Sequence, residues 1–170
     1  MVDTASSPTD TDIVSSQTTL TIPEAARVRF GIDSGWHAGM ERIVEWSDVD
    51  AFRHANHAAF LLWFETARNL YLEAMGLPRH ASDTPGPVMM DLRVRYRRPL
   101  TYHDSVFVTV RTAAMRRRSL EMDYAAWADN GCSATCTAVL VLMINDTGEK
   151  VTIPDAVRAS IRALDNPREE

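Results

Sequence analysis

The sequence predicts an α+β domain in which one antiparallel sheet wraps a single long helix. Three observations carry this. From Asn56 to Met75, Phe60, Phe64, Ala67, Tyr71 and Ala74 recur at steps of three and four, the period of a helix face. Leu61, Trp63 and Leu70 make that helix apolar on more than one side, the pattern of a buried helix. The strand-like segments then follow as a run, whereas an α/β sheet would alternate strands with helices.

Each element follows in chain order. Residues 1–20 are rich in Ser, Thr and Asp and predict a disordered tail. Residues 21–39 predict a short helical turn at Ile22–Ala26, capped by Thr21, and then a loop. The domain proper spans 40–165 and opens with a strand from Met40 to Trp46. The long helix ends at Gly76-Leu77-Pro78, a Gly-then-Pro stop. Arg79 to Pro87 reads as a mobile loop. Val88, Met90, Leu92, Val94 and Tyr96 then alternate with polar residues until Pro99. Val106, Val108 and Val110 mark the next strand, and Leu120, Met122 and Tyr124 the one after. Asp129-Asn130-Gly131 is a hairpin turn. Ser133 to Ile144 becomes apolar on both faces and is expected to be central. After the turn Asn145–Gly148, Pro154 to Leu164 predicts a terminal helix, ended by Asn166-Pro167.

Composition narrows the function classes. At 170 residues the chain is one domain with room for a real core, and 45% hydrophobic with 24% charged residues is ordinary for a globular protein. A net charge of −5 argues against nucleic acid as a partner. No apolar run reaches membrane-spanning length, and the start lacks the pattern of a signal peptide, so no membrane partner and a cytoplasmic location are expected. Cys132 and Cys136, four residues apart on one strand, would stand about 13 Å apart, beyond disulfide reach. They read as small apolar residues on one side of the sheet.

Chemistry concentrates between Trp46 and Arg68, WSDVDAFRHANHAAFLLWFETAR. Here two carboxylates, Asp48 and Asp50, precede His54, Asn56 and the start of the helix. A helix start offers unpaired N–H groups and the positive end of its dipole, which suit a developing oxyanion. Asp50 is either a catalytic carboxylate or a cap, and Asp48 reads as a turn residue. Asn56 either orients the loop or caps the helix. His54 and His57 with Asp50 have zinc-like spacing. Nothing else supports a metal, and neither metal nor cofactor is expected. Arg116, Arg117 and Arg118 form a cationic turn suited to phosphate. Arg95, Arg97 and Arg98 form a second cluster, some of them expected to pair with acids across the sheet. Glu65 and Arg68 are expected to pair along the helix.

The order Asp-x-Asp-x3-His-x-Asn, followed by an apolar helix carrying Glu65-x-x-Arg68, resembles the hotdog-fold acyl-CoA thioesterases, above all the 4-hydroxybenzoyl-CoA thioesterase-like family. The similarity runs from about Met40 to about Ile144. It implies a hotdog fold, a homodimer or homotetramer with sites at the subunit interface, and an acyl-CoA or acyl-carrier-protein thioester as substrate. It also implies Asp50 as nucleophile or general base, the His54 amide as oxyanion donor, and Arg116–Arg118 near the nucleotide of coenzyme A. The acyl chain would lie in an apolar slot along Phe60 and Phe64. Phe52 stands where the plant acyl-carrier-protein thioesterases carry Asn. Two rival readings use the same residues: an acyl-thioester hydratase or dehydratase working through Asp50 and His54, and a non-catalytic acyl-thioester-binding module.

Overall fold

Period-two alternation in the second half of the chain builds one antiparallel sheet, and the helical period of the first half lays a helix across it. The computed structural model describes residues 20–78, 84–129 and 131–170, so the expected tail, most of the expected 79–87 loop and Asn130 lie outside the described residues. The elements are α1 (Glu24–Phe30), β1 (Ala38–Ile43), a 3-10 turn (Trp46–Asp48), α2 (His57–Ala74), β2 (Pro85–Tyr96), β3 (Ser105–Met115), β4 (Ser119–Ala128), β5 (Gly131–Ile144), α3 (Asp155–Asp165) and β6 (Arg168–Glu169). The sheet order is β1-β3-β4-β5-β2, with β6 added parallel to β3.

The central helix matches its sequence signals. Asn56 is its N-cap and accepts a hydrogen bond from Ala58 N at 2.9 Å, while Met75 closes the other end before Gly76. Its inner face, including Phe60, Trp63, Phe64, Ala67 and Tyr71, is buried against the sheet. The expectation of burial all round does not hold, because Leu62 is 61% exposed. One sheet covers only one side of a helix.

Other differences have local causes. The first strand starts and ends earlier than expected. Gly39 lets β1 approach β3 so closely that a Cβ there would sit 2.6 Å from Val108 O. The chain then turns at Trp46–Asp48, where Asp48 Oδ2 accepts from Glu45 N at 2.9 Å. Asp48 is therefore a buried turn residue, as the sequence suggested. Strand β2 begins at Pro85, inside the expected loop, and carries a bulge between Met89 and Asp91. It is the sheet edge next to β5, so its alternating apolar residues are not buried: Met90 is 62% exposed.

The region 21–37 is more than a turn and a loop. Its helix runs to Phe30 with Pro23, not Thr21, at the N-cap. Phe30, Ile32 and Trp36 then pack with Phe107 and Ala125 on the sheet face opposite α2. Positions 106–110 of β3 are thus buried on both faces, where alternation alone predicted one. A register shift after Ala126 also separates the cysteines: Cys132 joins this outer cluster and Cys136 the main core. Both are free thiols.

Candidate functional site

The chain between the 3-10 turn and α2 crosses from sheet to helix and is pinned on both sides. Ala55 N donates to Leu100 O at 2.7 Å and Asn56 N to Asp48 O at 2.7 Å. Between these pins the loop closes on Asp50. Asp50 N donates to His54 O at 2.9 Å. Asp50 Oδ1 accepts from Phe52 N at 2.8 Å and makes a long 3.5 Å contact with His54 N. Arg53 takes a left-handed conformation, φ 63°, to complete this tight crossing. Among the described residues Oδ2 of Asp50 accepts no hydrogen bond, and the first helical amide, His57 N–H, has no acceptor.

Two clefts flank the crossing. The larger, about 710 Å³, is lined by Asp50 together with Trp46, Val49, Ala51, Arg53, Thr101 and Tyr102. Trp46 and Tyr102 meet edge to face, with ring centroids 5.7 Å apart. The smaller, about 340 Å³, lies on the other side, against His54, His57, Phe60, Tyr96, Arg97 and Arg98. Tyr96 Oη donates to His57 O at 3.1 Å, and partial burial holds its hydroxyl above the usual phenol range.

The crossing brings Asp50, His54 and Asn56 together within one chain. Asn56 serves as the helix cap. Phe60 is buried at the floor of the smaller cleft, against Trp63 and Tyr96 at 4.9 and 5.4 Å between ring centroids. Phe64 packs on Tyr124 in the core. Arg116–Arg118 form the β3–β4 hairpin, at the opposite end of the sheet from Ser105 and the crossing. Arg116 pairs with Glu170; Arg117 and Arg118 are exposed and have no ion-pair partner among the described residues. Arg68 pairs with Glu65 at 3.3 Å, as expected, although it is buried. Arg97 and Arg98 depart from expectation. They follow the end of β2, where no facing strand supplies an acid, and no carboxylate pairs with them among the described residues. The basic pair before Pro99 was the available signal. The aromatic wall of Trp46 and Tyr102 gave none, because the two lie far apart in sequence. Among the described residues no group of three or more His, Cys, Asp or Glu is arranged to hold a metal.

The model of the thioesterase-like superfamily matches residues 44–161, spanning the crossing, α2, strands β2 to β5 and most of α3. The chain belongs to the thioesterase-like superfamily. Membership places it among thioester hydrolases, and the single hotdog domain follows from the same match. A thioesterase superfamily crystal structure from Jannaschia sp. CCS1 aligns with TM-score 0.79 and 26% identity, over 88% of this chain and 96% of that one. A Thermus thermophilus thioesterase, complexed with coenzyme A and Zn, aligns with TM-score 0.70 and 32% identity, over 79% of this chain and 98% of that one. A Staphylococcus aureus protein in complex with CoA shares the fold at 14% identity and TM-score 0.70, over 76% of this chain and 84% of that one. No curated protein matches the chain.

Proposed function

We propose that this protein hydrolyses acyl-CoA thioesters, with Asp50 as the reacting carboxylate. The observation that carries this is the crossing itself. One oxygen of Asp50 is fixed by the Phe52 amide, the other accepts no hydrogen bond among the described residues, and the residue lines the larger cleft. A carboxylate held this way has a defined direction of attack or of proton abstraction. In this reading the N–H of His57, at the positive end of α2, polarises the thioester carbonyl, together with the N–H of His54, which in the free protein makes only the long 3.5 Å contact with Asp50 Oδ1. Asn56 contributes by fixing where that helix begins. The coenzyme A bound by the Thermus relative supports coenzyme A as the handle.

The handle also bears on assembly. Strand β2 is an edge with exposed Met90 and Leu92, and we infer that two copies pair along it. Antiparallel pairing of β2 with its own copy sets opposite ends of the two sheets side by side. The Arg116–Arg118 hairpin of one subunit then lies toward the Asp50 crossing of the other, where it would meet nucleotide phosphates. A homodimer is the smallest assembly with this property.

The decisive measurement is thiol release from a panel of acyl-CoAs by the wild type and Asp50→Asn in parallel. We expect turnover to fall about 10²-fold or more in the variant, within the range for a positioned acid or base, with unfolding temperature little changed. A folded variant with near-normal turnover would remove Asp50 from the mechanism. Hydration of an enoyl-CoA without thiol release would instead identify a hydratase.

A further inference from the structure

We propose that the smaller cleft selects acyl groups that end in a carboxylate, so that the preferred substrates are thioesters of short dicarboxylic acids. This rests on the hydrolase reading and names the substrate class of the same site.

The cleft has an apolar floor and a cationic rim. Phe60 and Tyr96 form the floor, and His54, His57, Arg97 and Arg98 line the rest. Among the described residues no carboxylate lines it. Arg97 and Arg98 have no acidic partner among the described residues, as is also true of Arg117 and Arg118, whereas Arg29, Arg111, Arg116, Arg158, Arg162 and Arg168 pair with acids. The backbone that carries the two exposed guanidiniums is held in place. Arg97 N and Arg98 N both donate to Ser133 O, at 2.8 and 3.2 Å. Arg98 also lies over Gly131, where a Cβ would come within 3.4 Å of its Nη1. Guanidiniums stay charged at all working pH values and match a carboxylate in two-point geometry.

The position of the cleft chooses between an acyl carboxylate and a handle phosphate. It abuts His54 and His57, whose amides are the carbonyl-polarising groups of the proposed mechanism. A carboxylate at the end of a short acyl chain lies a few bonds from that carbonyl. The phosphates of coenzyme A lie a whole pantetheine arm away. The volume, about 340 Å³, admits a short chain, and the apolar floor suits its methylene groups. The larger cleft beside Asp50 is left for the handle.

The test compares glutaryl-CoA with valeryl-CoA, equal in chain length and different in charge, on the wild type and on Arg97→Gln/Arg98→Gln. Charge-assisted hydrogen bonds of this kind predict a preference of about tenfold or more in kcat/KM for glutaryl-CoA. The double variant loses that preference, with the larger fall in kcat/KM on glutaryl-CoA. Equal rates on both esters in the wild type overturn the proposal and leave the hydrolase reading standing. So does an equal loss on both esters in the variant that vanishes with pantetheine thioesters, since the arginines would then hold handle phosphates. If no thioester of any kind is turned over, the hydrolase reading falls. Calorimetric titration with free glutarate then decides the site: binding that disappears in the double variant supports it, and no binding to the wild type overturns it.

Discussion

Asp50 and Cys136 show how differently one chain treats its ionisable side chains. Asp50 stays half-buried on a loop, with the Phe52 amide on one oxygen and no hydrogen bond to the other among the described residues. Cys136 sits inside the core, and burial pushes its thiol up to about 12, with the negative charge of Asp123 adding in the same direction. A raised thiol pKa means the neutral form persists through the physiological range, and the neutral thiol is the unreactive one. Native protein titrated with a chromogenic thiol reagent at about pH 8 should therefore leave Cys136 unmodified, and modification should appear only on unfolding. Rapid labelling of Cys136 in the native state would contradict this burial. Sequence alone foresaw apolar cysteines but placed them on one face. The register shift beside Trp127, set by pairing between β4 and β5, sent Cys132 to the other.

The N-terminal segment is the element the sequence undersold. Its apolar residues are too few and too scattered for a periodic pattern, yet they cover the sheet face that α2 leaves bare. Phe30 meets Phe107 with ring centroids 5.9 Å apart, and Trp36 meets Trp127 at 6.4 Å. The far end of the segment is tied by His37 to Asp165, at 3.2 Å. Asp165 Oδ2 accepts from Tyr71 Oη at 2.7 Å and from Thr112 N at 2.8 Å. Burial, with the Asp165 charge adding, drives the Tyr71 hydroxyl far above the usual phenol range, so it remains a donor. One carboxylate thus joins α2, β3, α3 and the covering segment. Phe30→Ala should cost about 3–5 kcal/mol, the range for a buried aromatic, read as a lower midpoint in urea. Turnover should stay unchanged below the transition, because the change lies on the sheet face away from the crossing. A matching fall in kcat for folded protein would mean the two faces are coupled.

At the scale of the whole molecule the sheet has an unfinished edge. Strand β2 pairs with β5 on one side only, and it exposes Met90, Leu92 and Tyr96. Edge strands with apolar side chains invite pairing with another copy, and in the proposed dimer such pairing would bring the arginine hairpin toward the crossing. Wild-type protein should sediment as a dimer or a multiple of one. Leu92→Glu places like charges across the symmetric edge and should give monomers with weakened turnover on acyl-CoA. A fully active monomer would show that one chain holds the whole site and would remove the arginine hairpin from it. Among the described residues no helix is long and apolar enough to cross a membrane.

The α2 limits to within a residue or two, the four later strands and the grouping of Asp50, His54 and Asn56 were legible in the sequence. These are short-range facts: period, caps and turn chemistry act between neighbours in the chain. It also carried the family resemblance, because the motif is contiguous. Three features waited on tertiary contacts: which strand became the edge, the covering of the second face by residues 21–37, and the sharing of a cleft with His54 by Arg97 and Arg98, without an acidic partner among the described residues, while Arg116–Arg118 lie at the far end of the sheet. Each of these depends on which distant segments meet. Burial of an alternating strand is set by what lies over it, and the pairing of an arginine by which acid the fold brings within reach.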